Sequence, residues 1–331
     1  ITVEGAVDWV SEGTGSRRVK LYTGAGLTLN NYSFSGATSG NLEYGKTTNT
    51  GTPTLSTVTA TEVYFVVNQF KDRSTTITGP NYSKLYAGLS TLGNTTTGNT
   101  LTLDGTTGGY IAYGGYTNAP AGDSTNNTLI FKNSAGNVGP NYGGWANNGN
   151  ATHNTIVLSG THPDCNTVTD IYGGGSNKVG ADTTTGNTLK VTTVGNGIRT
   201  INNFEKMEFE LSSGINAGDR MLHVQSQYTT QTFDWNKIKV TGLRAWATAL
   251  AENNVNTPTL TLYSGVGAPL MLNHYAPTIV GTRGDYEFGK RAATGTLSGT
   301  TMTGATLLTV DGNRFQNAGK NQNVTTPGAT P

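Results

Sequence analysis

Tyr116 and Trp145 are the residues whose type and spacing best suit binding chemistry, because each follows a glycine pair in an equivalent turn, YGGY and YGGW. Exposed aromatic faces at regular spacing stack on sugar rings, which makes these two the candidate glycan-binding residues. Tyr113, Tyr142 and Tyr172 open the same kind of turn and fit an aromatic stack that closes the structure better than they fit a ligand.

His162, Asp164, Cys165 and Asp170 cluster in THPDCNTVTD and are of types that bind metals. A zinc site draws a full set of four ligands at C-x₂₋₄-C or H-x₃₋₅-H spacing. This run supplies two nitrogen or sulfur ligands and reads better as a loop insertion, so neither a metal nor another cofactor is expected. Arg283-Gly284-Asp285 spells the tripeptide that animal integrins read, but Gly284 already has a structural explanation as the start of a repeated segment, GDYEFGK. The Asn-X-Ser/Thr triplets, such as Asn81-Tyr82-Ser83 and Asn150-Ala151-Thr152, follow from a composition rich in Asn and Thr.

Cleavage of a polysaccharide would need paired carboxylates about 5–9 Å apart. Asp104, Asp123, Asp164, Asp170 and Asp182 show no common position in the repeat described next, and Asp104 and Asp123 are 19 residues apart, out of step with it. No nucleophile elbow, phosphate-cradling loop or metal-binding helix motif is present. The expectation is a protein without catalysis.

The elements that carry the aromatics recur. Tyr86, Tyr113, Tyr142 and Tyr172 begin aromatic-small-Gly turns at steps of 27, 29 and 30 residues, and Asn99, Asn127, Asn154 and Asn187 begin Asn-Thr-aliphatic segments at steps of 28, 27 and 33. The segments TLTLDG, TLIFKN, TIVLSG and TLKV alternate at the two-residue period of a strand with one face inward. About two or three short strands per 27–30 residues suit one coil of a parallel β-helix, whereas propeller blades need about 40–50 residues. The fold class expected is all-β, a right-handed parallel β-helix (β-solenoid). Asn99, Asn127, Asn154 and Asn187 are expected to form an amide ladder, and Leu101, Leu129, Ile156 and Leu189 an internal aliphatic column. The glycine pairs are expected to supply positive φ angles at the corners.

A longer repeat encloses this one. LYTGAGLTLNNY begins at Leu21 and LYSGVGAPLMLNHY at Leu262, 241 residues later; GNLEYGK begins at Gly40 and GDYEFGK at Gly284, 244 residues later. An Asp-Trp pair recurs as Asp8-Trp9 and Asp234-Trp235. Tandem duplication builds stalks and fibres this way, so the chain reads as a fragment of a longer fibre. Its parts are residues 1–80, the end of one large repeat in irregular β coils; 81–197, the regular coils; 198–261, a less repetitive β module; and 262–331, the start of the next large repeat. RAWATALAEN, Arg244 to Asn253, is the one stretch with helical character.

Only 12% of residues are charged and the net charge is +1, against about 25% charged in ordinary domains. Without a basic stripe there is no electrostatic footprint for nucleic acid. The longest apolar runs, such as Val63 to Val67, fall far short of the ~20 residues that span a bilayer, so no membrane contact by this segment is expected. The one cysteine, Cys165, excludes a disulfide within the chain.

Coils with Tyr113-Gly114-Gly115, Tyr172-Gly173-Gly174 and Gly186-Asn187-Thr188-Leu189 are followed by Ile201, Asn203-Phe204, Met207 and Phe209, then by Gly218-Asp219-Arg220-Met221-Leu222. Over roughly residues 81–225 this pattern resembles the passenger regions of large bacterial autotransporter (type V secretion) adhesins. The resemblance implies a β-helical stalk at the bacterial cell surface, anchored in the outer membrane through a part not present here. It also implies a role in adhesion, aggregation or biofilm formation, with host or bacterial surface glycans or proteins as partners. Truncated sheet edges imply self-association as well. Two other readings stand beside it: a β-helical polysaccharide-binding or -degrading protein of tailspike or lyase type, and a self-assembling filament subunit.

Overall fold

A computed structural model describes residues 17–30, 35–39, 42–48, 57–68, 84–90, 95–104, 111–117, 122–132, 139–160, 170–243, 245–246, 258–283 and 286–314. These residues are almost wholly strand, and their parallel sheets stack as a β-solenoid. The chain forms two compact units, Ile1–Val157 with Thr167–Thr188, and Leu158–Asn166 with Leu189–Pro331. The change of sequence texture at Ile198 falls inside the second unit.

In the first unit each of three successive coils contributes three strands, and a fourth coil adds a further tyrosine strand. The tyrosine strands Lys84–Ser90, Ile111–Thr117, Pro140–Ala146 and Asp170–Ser176 pair in parallel, tyrosine beside tyrosine. Two-residue strands, Thr96–Thr97, Ser124–Thr125 and Ala151–Thr152, form a second sheet. The strands that follow each ladder asparagine, Thr100–Asp104, Thr128–Lys132 and Thr155–Ser159, form the third. Their alternation does what the two-residue period predicts: Leu101, Leu129 and Ile156 are wholly buried, with Leu129 paired to Leu101. Leu189 is buried likewise.

The asparagine ladder forms and explains why the coils register. Asn127 Oδ1 accepts from the backbone N–H of Asn99 at 3.1 Å and from its Nδ2 at 2.8 Å. Asn154 Oδ1 serves Asn127 in the same way, at 3.0 and 3.1 Å, and Asn187 Oδ1 serves Asn154, at 2.8 and 3.4 Å. Each amide also donates to a carbonyl in the short strand of the preceding coil: Asn127 to Thr96, Asn154 to Ser124 and Asn187 to Ala151. Asn127, Asn154 and Asn187 are therefore wholly buried without leaving their amides unpaired.

The glycine pairs act differently from expectation. None of them has a positive φ; left-handed residues stand instead immediately before each ladder asparagine, at Gly98, Asn126, His153 and Gly186. The glycines make room. A Cβ on Gly144 would lie 2.5 Å from Asn154 Nδ2, and Gly88 and Gly115 face Asn99 and Asn127 in the same way. One steric pairing, glycine against asparagine, thus locks two sequence markers to one period.

Over residues 17–68 the strands pair antiparallel, unlike the irregular coils expected there. Arg17–Asn30, Ser35–Ser39, Leu42–Thr48 and Thr57–Asn68 form a sheet in the order first, fourth, third, second. Only two residues separate Ser39 from Leu42, too few for the crossover that parallel pairing requires.

In the second unit Lys206–Glu210 pairs in parallel with Ile238–Thr241, burying Met207, Phe209 and Ile238. Asn196–Ile198, Arg220–Gln227 and Thr259–Gly267 form a parallel run. A 3₁₀ turn, Trp235–Lys237, is capped by Asp234, which accepts from the Asn236 N–H at 2.9 Å. Lys290 lies over the Trp235 ring, 4.1 Å from its centroid, and donates to the Trp235 carbonyl at 3.0 Å and to the Ile238 carbonyl. Of the expected helix at 244–253, Ala245 and Trp246 are described, and both backbone N–H groups donate to the Gly242 carbonyl.

The large repeat is structural. Thr259–Gly267, Thr278–Arg283, Tyr286–Ala292 and Leu307–Arg314 pair antiparallel in the same order, first, fourth, third, second. Register agrees residue by residue: Lys20↔Tyr64 and Tyr22↔Val63 in one sheet match Thr261↔Thr309 and Tyr263↔Leu308 in the other. Both strands bulge at the intervening residue, Leu21 and Leu262. This register also exposes a third matched segment, ATEVYFVVNQF from Ala60 and ATLLTVDGNRF from Ala305.

Candidate functional site

The aromatic side chains project from the face of the tyrosine sheet opposite its asparagine ladder. In Pro140–Ala146 the residues Asn141, Gly143, Gly144 and Ala146 are buried, whereas Tyr142 and Trp145 are half-buried. Strict alternation would send Tyr142 and Trp145, three residues apart, to opposite faces; the buried glycine pair Gly143-Gly144 interrupts it, so that both aromatics lie on one face with their rings 4.8 Å apart.

Two columns result. In the first, Tyr86, Tyr113, Tyr142 and Tyr172 stack on one another with ring centroids 5.2, 5.3 and 4.9 Å apart. The spacing follows from the distance between hydrogen-bonded strands, so in-register pairing alone produces the stack. In the second, Leu89, Tyr116, Trp145 and Gly175 succeed one another in register. Tyr116 meets Tyr86 and Tyr113 edge-on, at 5.0 and 4.9 Å, and Trp145 meets Tyr142 edge-on at 4.8 Å. Gly175 seats the indole: a Cβ there would fall 2.5 Å from Trp145 Cε3.

The chemistry of this surface is that of neutral phenols. Burial pushes the Tyr142 hydroxyl up to about 12, with the neighbouring Tyr172 and Asp170 adding to the effect. Burial likewise raises Tyr86, Tyr113 and Tyr116. The first column spends its ring faces on itself, the stacking expected of Tyr113, Tyr142 and Tyr172, though on the outward face of the sheet rather than inside the coil. Tyr116 and Trp145 stand beside that column in register, Trp145 next to Tyr116, and both remain half-exposed.

No family model, curated protein or solved structure matches this chain.

The acidic residues hold corners. Asp123 Oδ1 accepts from the Asn150 N–H at 2.7 Å, and Asn150 Oδ1 accepts from the Asp182 N–H at 2.9 Å. Asp123 and Asp182 thus share one coil position with Asn150 between them, a correspondence that the irregular steps hide in the sequence. Asp182 also accepts from the Thr184 and Thr185 N–H groups, both at 3.0 Å, and bonds from Thr185 and Thr184 help to hold its carboxyl below the usual range. These carboxylates are committed to main-chain donors. His162, Asp164 and Cys165 lie outside the described residues, as do Gly284 and Asp285; among the described residues no group of three metal-binding side chains occurs. No helix among them is long and apolar enough to cross a membrane.

Proposed function

We propose that the chain is a structural and adhesive segment of a long extracellular fibre on a bacterial surface, without catalysis. The observation that carries this reading is the recurrence of one four-stranded sheet, bulge included, 241 residues along the chain at Leu21 and Leu262. A module that recurs with its register intact is what tandem extension of a rod requires. The amide ladder supports it, because each added coil satisfies the polar groups of the one before. A rod of this kind holds binding surfaces away from the cell, and repeated weak contacts gain by avidity.

Surface glycans are the partner class that the aromatic columns fit, with Tyr116 and Trp145 as contact residues. Mass measurement and peptide mapping of the polypeptide from its native source test the fibre reading. A chain several times heavier than 34.6 kDa with further large repeats is expected. A native chain of about that mass would overturn it in favour of a compact polysaccharide-binding protein or a polymerising subunit.

A further inference from the structure

We propose that Tyr116, Trp145, Asn147 and Asn177 form a subsite for a linear, uncharged, β-linked polysaccharide laid along the axis of the coils in the first unit. The inference rests on the glycan-binding reading and names the kind of glycan and its direction. Its basis is ring orientation. The rings of the first tyrosine column stack along the axis, Tyr113 and Tyr142 only 8° from parallel, and so lie across it. Tyr116 stands at 74° to Tyr113 and Trp145 at 77° to Tyr142, with centroids 4.9 and 4.8 Å apart. Both rings therefore run along the axis and repeat one pose from coil to coil, Trp145 next to Tyr116 in register. Gly175 continues the track, because the indole occupies the space that a side chain there would fill.

Neighbouring coils are one strand spacing apart, about 4.8 Å, close to the rise of one sugar in an extended chain. Successive sugars of a chain along the axis each take one platform, whereas a chain laid across the coils meets one ring alone. The apolar C–H face of a pyranose stacks on an aromatic ring. Equatorial linkages hold consecutive faces in a straight ribbon, and axial linkages coil the chain away from a straight track. Hydroxyls at the ribbon's edge require polar partners. Asn147 and Asn177 stand two residues beyond Trp145 and Gly175, and Asn177 Nδ2 donates to Asn147 Oδ1 at 2.5 Å. Asn177 is exposed and Asn147 half-buried. Among the described residues the Asn177 Oδ1 and the Asn147 Nδ2 have no hydrogen-bond partner. One acceptor and one donor thus flank the aromatic faces, which suits a hydroxyl that donates and accepts at once. With neutral phenol and amide groups, the subsite offers no charge to an acidic sugar.

Isothermal titration calorimetry of the full chain with cellotetraose, chitotetraose, maltotetraose and glucose tests this. A β-linked tetrasaccharide is expected to bind about tenfold tighter than glucose, the gain of one further stacking contact, and to outbind the α-linked maltotetraose. Asn177→Ala, at an exposed position, is expected to weaken the β-linked ligand several-fold. Equal or tighter binding of maltotetraose, no gain over glucose, or unchanged affinity in Asn177→Ala overturns the inference and leaves the glycan-binding reading standing. Binding of none of the four, with capture of other glycans on an array, does the same. An array on which no glycan is captured overturns both.

Discussion

Leu21 and Leu262 occupy the same bulge in two copies of one antiparallel sheet, yet one is exposed and the other wholly buried. Identical local pairing with unequal burial shows that strand register and coverage are separate properties of the module. The first comes from the pairing within the sheet, and the second depends on what lies beside it.

Asn127→Ala is expected to destabilise the first unit by roughly 3 kcal/mol or more. It removes the acceptor for the Asn99 N–H and Nδ2 and takes one donor each from the Thr96 carbonyl and Asn154 Oδ1; each buried group left unpaired costs about 1–3 kcal/mol. Denaturant unfolding measures this, and a loss under about 0.5 kcal/mol would show that water replaces the ladder without cost.

Gly144→Ala and Gly98→Ala separate the two uses of glycine. At Gly144 a Cβ collides with Asn154, and overpacking of this kind costs about 1–3 kcal/mol. At Gly98 nothing lies within 4 Å, but φ is +70°, so a conformational cost of about 1 kcal/mol is expected. Relief of the Gly144→Ala defect by shortening Asn154 to Ser, with none for Gly98→Ala, is the predicted pattern in paired melts.

Lys290 gives a pH signature. Burial lowers its pKa from 10.5 to about 8, partly offset by Asp234. Between those values the unfolded chain holds more protons than the folded one, so this group makes stability rise with pH from about 8 to 10.5. Tyrosine burial acts in the opposite sense: with raised folded values, its contribution is complete below pH 10 and lost above it. Unfolding measured against Lys290→Met between pH 7 and 10 isolates the lysine. The substituted chain is expected to lack the rise, and matching slopes would refute the charge-burial account.

Tyr116→Ala and Trp145→Ala are each expected to abolish glycan capture on an array while costing only about 1 kcal/mol for the lost edge-on contacts. Undiminished capture by both variants would remove them as contact residues.

The coil period, the all-β class, the amide ladder and the aliphatic column are legible in the sequence because each depends on local alternation and on equivalent residues returning at nearly constant steps. The two LY segments and the two Glu-aromatic-Gly-Lys segments identify the large repeat for the same reason. The structure decided what depends on neighbours distant in the chain. The glycine pairs make room for asparagine rather than turning corners, because the residue that fills their space comes from elsewhere in the coil. Asp123 and Asp182 share a position because corners absorb insertions that disturb sequence spacing. ATEVYFVVNQF and ATLLTVDGNRF correspond because antiparallel pairing fixes their register, while their side chains diverged. No sequence pattern singles out Lys290, and only the packed second unit supplies the indole and carbonyls that hold it inside.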